Sequence, residues 1–380
     1  MSAVWPTVPL GEVVSHRKEF ITIDDLETYR RPRVQLHAQG IVLRDAVLGA
    51  LIKTKKQQVA RAGELLVAEI DAKFGGFGIV PDDLDGSVVS SHYFLFGHNS
   101  DRIDNRFLEW FIKTPTFRQQ VEAQGSTNYA AIRPADVLGY EVPLPPLHEQ
   151  LRIVARIDEL AAKVEEARSL RGLSRLATDA FVASTHSALA ITTPEPLSTY
   201  LELDEDSVPV QQGVPYPQVG VRGFGGGLFP KPPVHGGETT YRAFNRLYSG
   251  ALVMSQVKGW EGAVAMTPSP LEGRFVSPEY RTFRCKVDRC LPDYLAAVVP
   301  TEFFWGRLKE ATRGVGARRE RTRPERFLQL EFSMPSLSEQ RRAIAMFSSL
   351  DPIQKLQDQT IEELDAMLPA ILDKAFKGEL

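Results

Sequence analysis

The chain has 380 residues, 43% apolar and 24% charged, with a formal net charge of −3. That length exceeds one ordinary core, so two or more globular domains are expected, and the slight acidity excludes polyanion binding through the whole surface, leaving local basic patches. No apolar run reaches the roughly 18 residues of a membrane helix, no signal-peptide pattern opens the chain, and Cys285 and Cys290 lack the partners of a zinc site, which predicts a cytoplasmic protein with two free thiols and no membrane association.

In chain order, the first region is β-compatible. Short runs at Gly40-Ile41-Val42-Leu43, Glu64 to Ile70 and Ser87 to Phe96 are separated by Gly and Pro. Between the first two lies Lys53-Thr54-Lys55-Lys56-Gln57-Gln58. It is a candidate phosphate-contacting segment or, equally, a charged surface turn. Glu69-Ile70-Asp71-Ala72-Lys73 has the Asp-x-Lys spacing of metal-dependent nucleases. An aromatic helix is expected over Asn105 to Phe117. A Gly-containing polar loop, Gln124 to Tyr129, then precedes Arg133-Pro134.

Pro145-Pro146-Leu147-His148-Glu149-Gln150-Leu151-Arg152 opens a long helix-compatible stretch. Ile153, Ile157, Leu160, Val164 and Ala167 step by four and three, which makes one apolar stripe.

The chain then repeats itself. Pro9-Leu10 returns as Pro196-Leu197, Gly63-Glu64-Leu65-Leu66-Val67 as Gly250-Ala251-Leu252-Val253-Met254, and Tyr93-x-x-Phe96 as Tyr280-x-x-Phe283, each 187 residues later. By Arg133-Pro134 and Arg323-Pro324 the offset is 190, so a small insertion lies between. Collinear matches over about 140 residues indicate a duplication. A second aromatic helix is expected over Pro292 to Phe304. Pro335-Ser336-Leu337-Ser338-Glu339-Gln340 repeats the helix opening, with Ser336-x-x-Glu339 in the form of a capping box. Ile353, Leu356, Thr360, Leu364, Met367 and Ile371 form the second stripe, and Pro352 predicts a break near Asp351. The two helices, about 30–40 residues each, would pack antiparallel over roughly 45–60 Å. The expected class is α+β: two β-rich domains separated by two long, antiparallel-packed helices in a pseudo-twofold tandem repeat. The expected bounds are 1–146 and 191–336 for the domains, 147–190 and 337–380 for the helical spacers.

Such a molecule suits a target with two half-sites, of which duplex DNA is the commonest. No phosphate loop, dinucleotide fingerprint, HExxH or GxSxG is present, nor the Asn/Asp-Pro-Pro-aromatic segment of adenine methyltransferases. The second copy has no carboxylate at the position of Asp71. A binding protein is therefore favoured over an enzyme. The candidate DNA-contacting residues are Lys53, Lys55 and Lys56; Ser126, Thr127, Asn128 and Tyr129 in the first polar loop; Arg222 on a Gly-rich, flexible segment; Lys258; and Arg313, Arg318, Arg319 and Arg321 in the second polar loop.

Pro143-Leu144-Pro145-Pro146-Leu147-x-Glu149-Gln150-x-Arg152-Ile153-Val154-x-x-Ile157-Asp158-x-Leu160 resembles the conserved region that closes a recognition domain in specificity (S) subunits of type I restriction–modification systems. The ending Ile371-Leu372-Asp373-Lys374-Ala375-Phe376-Lys377-Gly378-Glu379-Leu380 and the opening Trp5-Pro6-x-Val8-Pro9-Leu10-Gly11 are similar too. In the second copy Phe332-Ser333-Met334 replaces the proline-rich form. The resemblance implies one half-site read per domain in the major groove. It implies helices that set the gap and bind two methyltransferase (M) subunits, with a motor-nuclease (R) subunit able to join. S-adenosylmethionine would be bound by the M subunits, and this chain would hold no cofactor, metal or catalytic residue. Leu151, Val154, Ile157 and Leu160, with Ile344, Phe347, Ile353 and Leu356, would form spacer core or M-subunit surface. Two other classes stay open: a non-DNA scaffold with peptide-binding β domains, and a nuclease using Asp71 and Lys73.

Overall fold

The computed structural model describes residues 5–122, 132–313 and 321–380. By contacts the chain divides into two units, residues 1–168 with 360–380, and residues 169–359. Both divisions fall inside helices, so each unit joins one β-rich domain to segments of both helical regions.

The two β-rich domains share one sheet design. In the first, an antiparallel sheet runs in the order Val14–Arg17, Tyr93–His98, Leu65–Ala68, Phe77–Ile79; in the second, Leu201–Leu203, Tyr280–Cys285, Leu252–Ser255, Val264–Met266. Tyr93 faces Ala68 and Phe96 faces Leu65, while Tyr280 faces Ser255 and Phe283 faces Leu252. The register is thus preserved residue for residue. The central strands read as unbroken apolar runs because both of their faces are covered. Leu65, Val67 and Phe96 enter one core with the aromatic helices, whereas Leu66 and Leu95 enter a second core beneath the neighbouring sheet. Leu252, Met254 and Phe283 divide from Val253 in the same way.

Several boundaries differ from the sequence reading. Ser87 to Phe96 is two strands, Val88–Val89 and Tyr93–His98, in different sheets, separated by a turn closed by Tyr93 N–H on Ser90 O at 3.1 Å. The aromatic helix is two helices, Asn105–Ile112 and Pro115–Glu122. Pro115 cannot donate to the preceding turn, and Thr114 closes the first helix by donating to Phe111 O at 2.7 Å. The second copy breaks at the equivalent Thr301, whose hydroxyl donates to Val298 O at 2.6 Å. The C-terminal region breaks where Pro352 predicts: Leu337–Phe347 is followed by a 3-10 turn at Ser348–Leu350 and then by Asp351–Phe376.

The first long helix is continuous over 43 residues, Leu147–Leu189, roughly 65 Å at about 1.5 Å per residue. Within the first unit it packs antiparallel to the C-terminal helix. Arg152 donates to Leu380 O at 2.8 Å, and Arg168, farther along, meets Asp365 at 3.1 Å. Ile153, Val154 and Ile157 are buried with Leu372 and Ala375, and Phe376 packs edge-on against Phe107 and Phe111. In the second unit Phe181 meets Phe347 with ring centroids 6.4 Å apart, while Thr192 Oγ1 donates to Met334 O at 3.2 Å. There too the strands of chain run in opposite directions.

Each helical region is joined to its domain by one buried glutamine. Gln150 Oε1 accepts from Asp104 N–H at 2.8 Å, and its Nε2 donates to Arg102 O and Pro145 O, both at 2.8 Å. Gln340 repeats all three bonds, with Leu291 N–H at 2.9 Å, Arg289 O at 2.9 Å and Pro335 O at 2.8 Å. Both side chains are fully buried. Truncation would orphan one amide and two carbonyls beneath the helix start. Gln150→Ala is expected to cost about 2–4 kcal/mol in the first unit, read as a lowered denaturant midpoint, with Gln340→Ala doing the same in the second.

The end of the first long helix is held in the second unit by His186. Its Nδ1 shares a 2.7 Å hydrogen bond with the Tyr294 hydroxyl, and its ring lies against Phe332 and Phe303 at 4.8 and 4.9 Å. Burial, with the nearby Arg307 charge adding to it, pushes the imidazole pKa down to about 4. The folded state thus binds the proton less well than the unfolded chain. The stabilisation is complete above the ordinary histidine pKa and is lost as pH falls toward 4. A decline of up to roughly 3 kcal/mol between pH 7 and pH 4 is expected from this residue. Denaturant titrations of the wild type and His186→Phe should differ in slope over that window.

Candidate nucleic-acid interface

A long hairpin projects from each domain's second sheet region: Thr28–Gln35 with Gly40–Leu48, and Pro215–Val221 with Leu228–His235. In the second domain the hairpin joins a five-stranded sheet through Gln218 opposite Phe275; in the first it stands as a separate two-stranded sheet.

Each hairpin tip is anchored on the turn that follows the central strand. His37 N–H donates to Phe74 O at 2.7 Å and Ala38 N–H to Gly75 O at 2.8 Å. Phe224 and Gly225 donate in the same way to Glu261 O and Gly262 O, at 2.6 and 3.3 Å. His37, Ala38 and Phe224 adopt left-handed conformations (φ 60, 56 and 55°), a strain that the docked turn maintains. The tip carrying Arg222 is therefore fixed, not the flexible segment that its glycines suggested. Gly225 (φ +67°) also has no room for a side chain, since a Cβ there would lie 1.9 Å from Pro300 O. Gly227 (φ +75°) faces open space. Gly225→Ala should therefore cost at least about 2 kcal/mol and Gly227→Ala about 1 kcal/mol, a ranking that thermal denaturation would test.

In the first domain a cleft of about 380 Å³ opens beside the hairpin, lined among others by Arg31, Arg44, Lys53, Thr54, Gln57 and Tyr93. Arg31 clamps Asp45 through two bonds, Nε to Oδ1 at 2.7 Å and Nη2 to Oδ2 at 2.8 Å. Arg44 Nε reaches the same carboxylate at 3.2 Å. The Arg31 hydrogen bond holds the Asp45 carboxyl below its ordinary range, so Asp45 is an anion at neutral pH. Burial pushes the Tyr93 phenol up, the Asp71 charge adds to this and Arg44 opposes it, so the hydroxyl stays a neutral donor and acceptor. At the corresponding positions the second copy carries Gln218, Lys231, Pro232, Thr240, Phe244 and Tyr280 in place of Arg31, Arg44, Asp45, Lys53, Gln57 and Tyr93. The two copies therefore carry different side chains at equivalent positions, and of the second set Gln218 and Phe244 are buried.

The residues predicted from sequence fall into distinct places. Lys53 is exposed and lines this cleft. Lys55 is committed to Asp25 and to Gly49 O at 2.8 Å, and Lys56 lies over the Phe20 ring at 4.9 Å. The basic segment thus does not act as one patch. Arg222 is exposed and stacks on Phe229 at 4.6 Å. Lys258 pairs with Glu261 at 3.5 Å and Arg321 with Glu279 at 2.8 Å. Arg313 lies on a short strand, Thr312–Arg313, paired with Arg321–Thr322. Ser126, Thr127, Asn128, Tyr129, Arg318 and Arg319 lie outside the described residues. The chain after each polar loop is nevertheless held at a matching place, because Ile132 N–H donates to Glu69 O at 3.1 Å and Thr322 N–H to Gln256 O at 2.9 Å. Sequence reasoning missed Arg31, Arg44 and Asp45. The only signal for them was a charge-rich hairpin, which reads as a solvated surface.

Along the helices, Val154, Ile157 and Phe347 are buried and Leu160 and Ile344 are half-buried, whereas Leu151, Ile353 and Leu356 are exposed. The latter three are surface, not spacer core. Beyond Ala167 the apolar stripe turns outward, with Leu170, Leu173 and Leu176 exposed at 60%, 58% and 66%.

The Asp-x-Lys segment does not form a strand-end catalytic site. The strand stops at Ala68, and Asp71 opens a 3-10 turn (Ala72–Phe74) in which its carbonyl accepts from Phe74 and Gly76, both at 2.9 Å. Among the described residues no group of three or more His, Cys, Asp or Glu could hold a metal. No helix among them is long and apolar enough to cross a membrane. Cys285 and Cys290 are both buried free thiols.

Residues 4–171 match the family model described as the type I restriction modification DNA specificity domain. No curated protein matches the chain in sequence. Among solved structures, a chain from work on complex assembly and conformational transition of the type I R-M system is 22% identical, with a TM-score of 0.62 over 99% of this chain and 98% of that one. The HsdS subunit of Thermoanaerobacter tengcongensis is 21% identical (TM-score 0.49, covering 99% and 97%). The type I S subunit of M. genitalium is 14% identical (TM-score 0.47, covering 99% and 96%).

Proposed function

We propose how this chain, which belongs to the type I restriction–modification DNA specificity family, divides the reading of its target: one half-site per β-rich domain, with the helices setting the gap. The family model covers the first copy, and the duplication carries the same strand order and register through the second. The protein is a DNA-recognition subunit without catalytic residues of its own. The observation that carries the two-half-site reading is the pairing of one preserved four-stranded scaffold with unlike side chains at equivalent hairpin positions, Arg31, Arg44 and Lys53 in the first copy against Gln218, Lys231 and Thr240 in the second. Equivalent scaffolds with unlike side chains suit two unlike sequences.

The partners in this reading are duplex DNA and two methyltransferase subunits, to which a motor-nuclease subunit can join. S-adenosylmethionine belongs to the methyltransferase. Exposed Leu170, Leu173 and Leu176 on the first long helix supply apolar surface for such a protein partner. The neutral-to-acidic net charge fits shared phosphate contacts, in which partner subunits supply part of the positive field.

Deleting the gene should abolish N6-methyladenine at one split motif, detected by single-molecule sequencing of the host genome. Unchanged methylation would oppose the reading and favour the scaffold class, which a partner pull-down would then test. Removing one heptad from the helix between Ala161 and Ala167 should change the unspecified gap while leaving both half-sites intact. An unaltered gap would refute the ruler role.

A further inference from the structure

We infer that Arg44, aimed by a β-bulge and braced by Asp45, reads a guanine in the half-site of the first domain. This rests on the DNA-recognition reading above and adds the residue and the base.

Pro32 lies within the strand Thr28–Gln35. It has no N–H to donate, so the hairpin ladder cannot run regularly past it. The pairing shifts there: Pro32 faces Leu43, but Arg31 faces Asp45, leaving Arg44 as the extra residue. In a regular strand Arg44 and Asp45 would point to opposite faces. At the bulge Arg44 Nε comes within 3.2 Å of Asp45 Oδ2, and Arg31 and Arg44 line the same cleft.

Asp45 is held in turn by two bonds from Arg31, so its position is fixed before any ligand arrives. Through Nε it orients the Arg44 guanidinium. The two terminal nitrogens of Arg44 make no hydrogen bond among the described residues, and the side chain is 48% exposed. A planar fork with two free donors on one edge, held by a carboxylate on the other, matches the O6 and N7 acceptors of guanine in the major groove. Adenine offers an N6–H₂ donor where guanine offers O6, so the fork discriminates between the purines. Bracing lowers the ordering cost of reading, as preorganisation does generally.

The second hairpin also shifts register, between Tyr216 and Gln218, but lacks the braced arginine. It places Lys231 at the position of Arg44 and Pro232 at that of Asp45, and Lys231 lies 5.7 Å over Phe229. The effect of Arg44 is therefore confined to one half-site.

The test uses the chain assembled with its methyltransferase subunits. Arg44→Gln and Asp45→Asn complexes are compared with wild type on duplexes in which each base pair of the motif is varied in turn, alongside genome-wide N6-methyladenine mapping. The expected result for Arg44→Gln is a loss of about 10-fold or more in discrimination at one G·C pair of one half-site, with the other half-site unchanged. Asp45→Asn should weaken discrimination at that same pair to a smaller degree. Because Arg44 is exposed, its replacement should leave the thermal midpoint intact, which a melting curve on the same sample verifies. A uniform fall in affinity with an unchanged motif would mean a phosphate contact and would overturn the inference, as would relaxation at a position other than guanine. If the wild-type assembly itself shows no motif, the DNA-recognition reading fails first. If it shows a motif that Arg44→Gln leaves untouched, only the present inference falls.

Discussion

One buried carboxamide at the start of each helical region, Gln150 or Gln340, is the constraint on which the rest depends. A glutamine at the start of a helix is an expensive choice for a core position unless every donor and acceptor is matched. Gln150 and Gln340 are matched three times each, twice to the loop before the aromatic helix and once to the turn before their own helix. That geometry admits one direction of exit for the helix. A looser hydrophobic joint would tolerate several. The recognition surface and the helical region are thereby referred to the same few backbone atoms, Arg102 to Asp104 in one copy and Arg289 to Leu291 in the other.

The second principle is division of labour within each domain. The four-stranded sheet and the aromatic helices are dry and nearly invariant in register between copies, and they carry the stability. Exposed hairpin side chains such as Arg44 and Lys231 lie outside these cores, where they can change at little cost. Docking of each tip on the turn at Gly75 or Gly262 keeps a variable element in a fixed place. Precise positioning of a few polar groups is what base reading requires, since phosphate contacts orient but do not discriminate.

The chemistry absent from the chain has the same explanation. Asp71 and Lys73 have the spacing of a nuclease pair, but they lie in a tight turn beyond the strand, and the second copy places Lys258 at the position of Asp71. Spacing along a chain is not spacing around a metal. Lys55, Lys258 and Arg321 likewise look available in sequence and are paired with acids in space. Charge read along a chain does not tell which cations are paired in space.

The sequence by itself determined the duplication, the α+β class, the long helices, the break before Pro352 and the family resemblance. Each rests on local periodicity, proline geometry or identity of motif, which need no knowledge of distant contacts. Only the tertiary structure decided which of the charged residues are free and where they point. Arg31, Arg44 and Asp45 become one braced group through a bulge at Pro32, and the bulge is defined by cross-strand pairing, a relation between residues more than ten positions apart. The exposure of Leu170, Leu173 and Leu176, against the burial of Ile153 and Ile157 on the same helix, was likewise hidden, because burial depends on what packs beside each turn and not on the helix's own spacing.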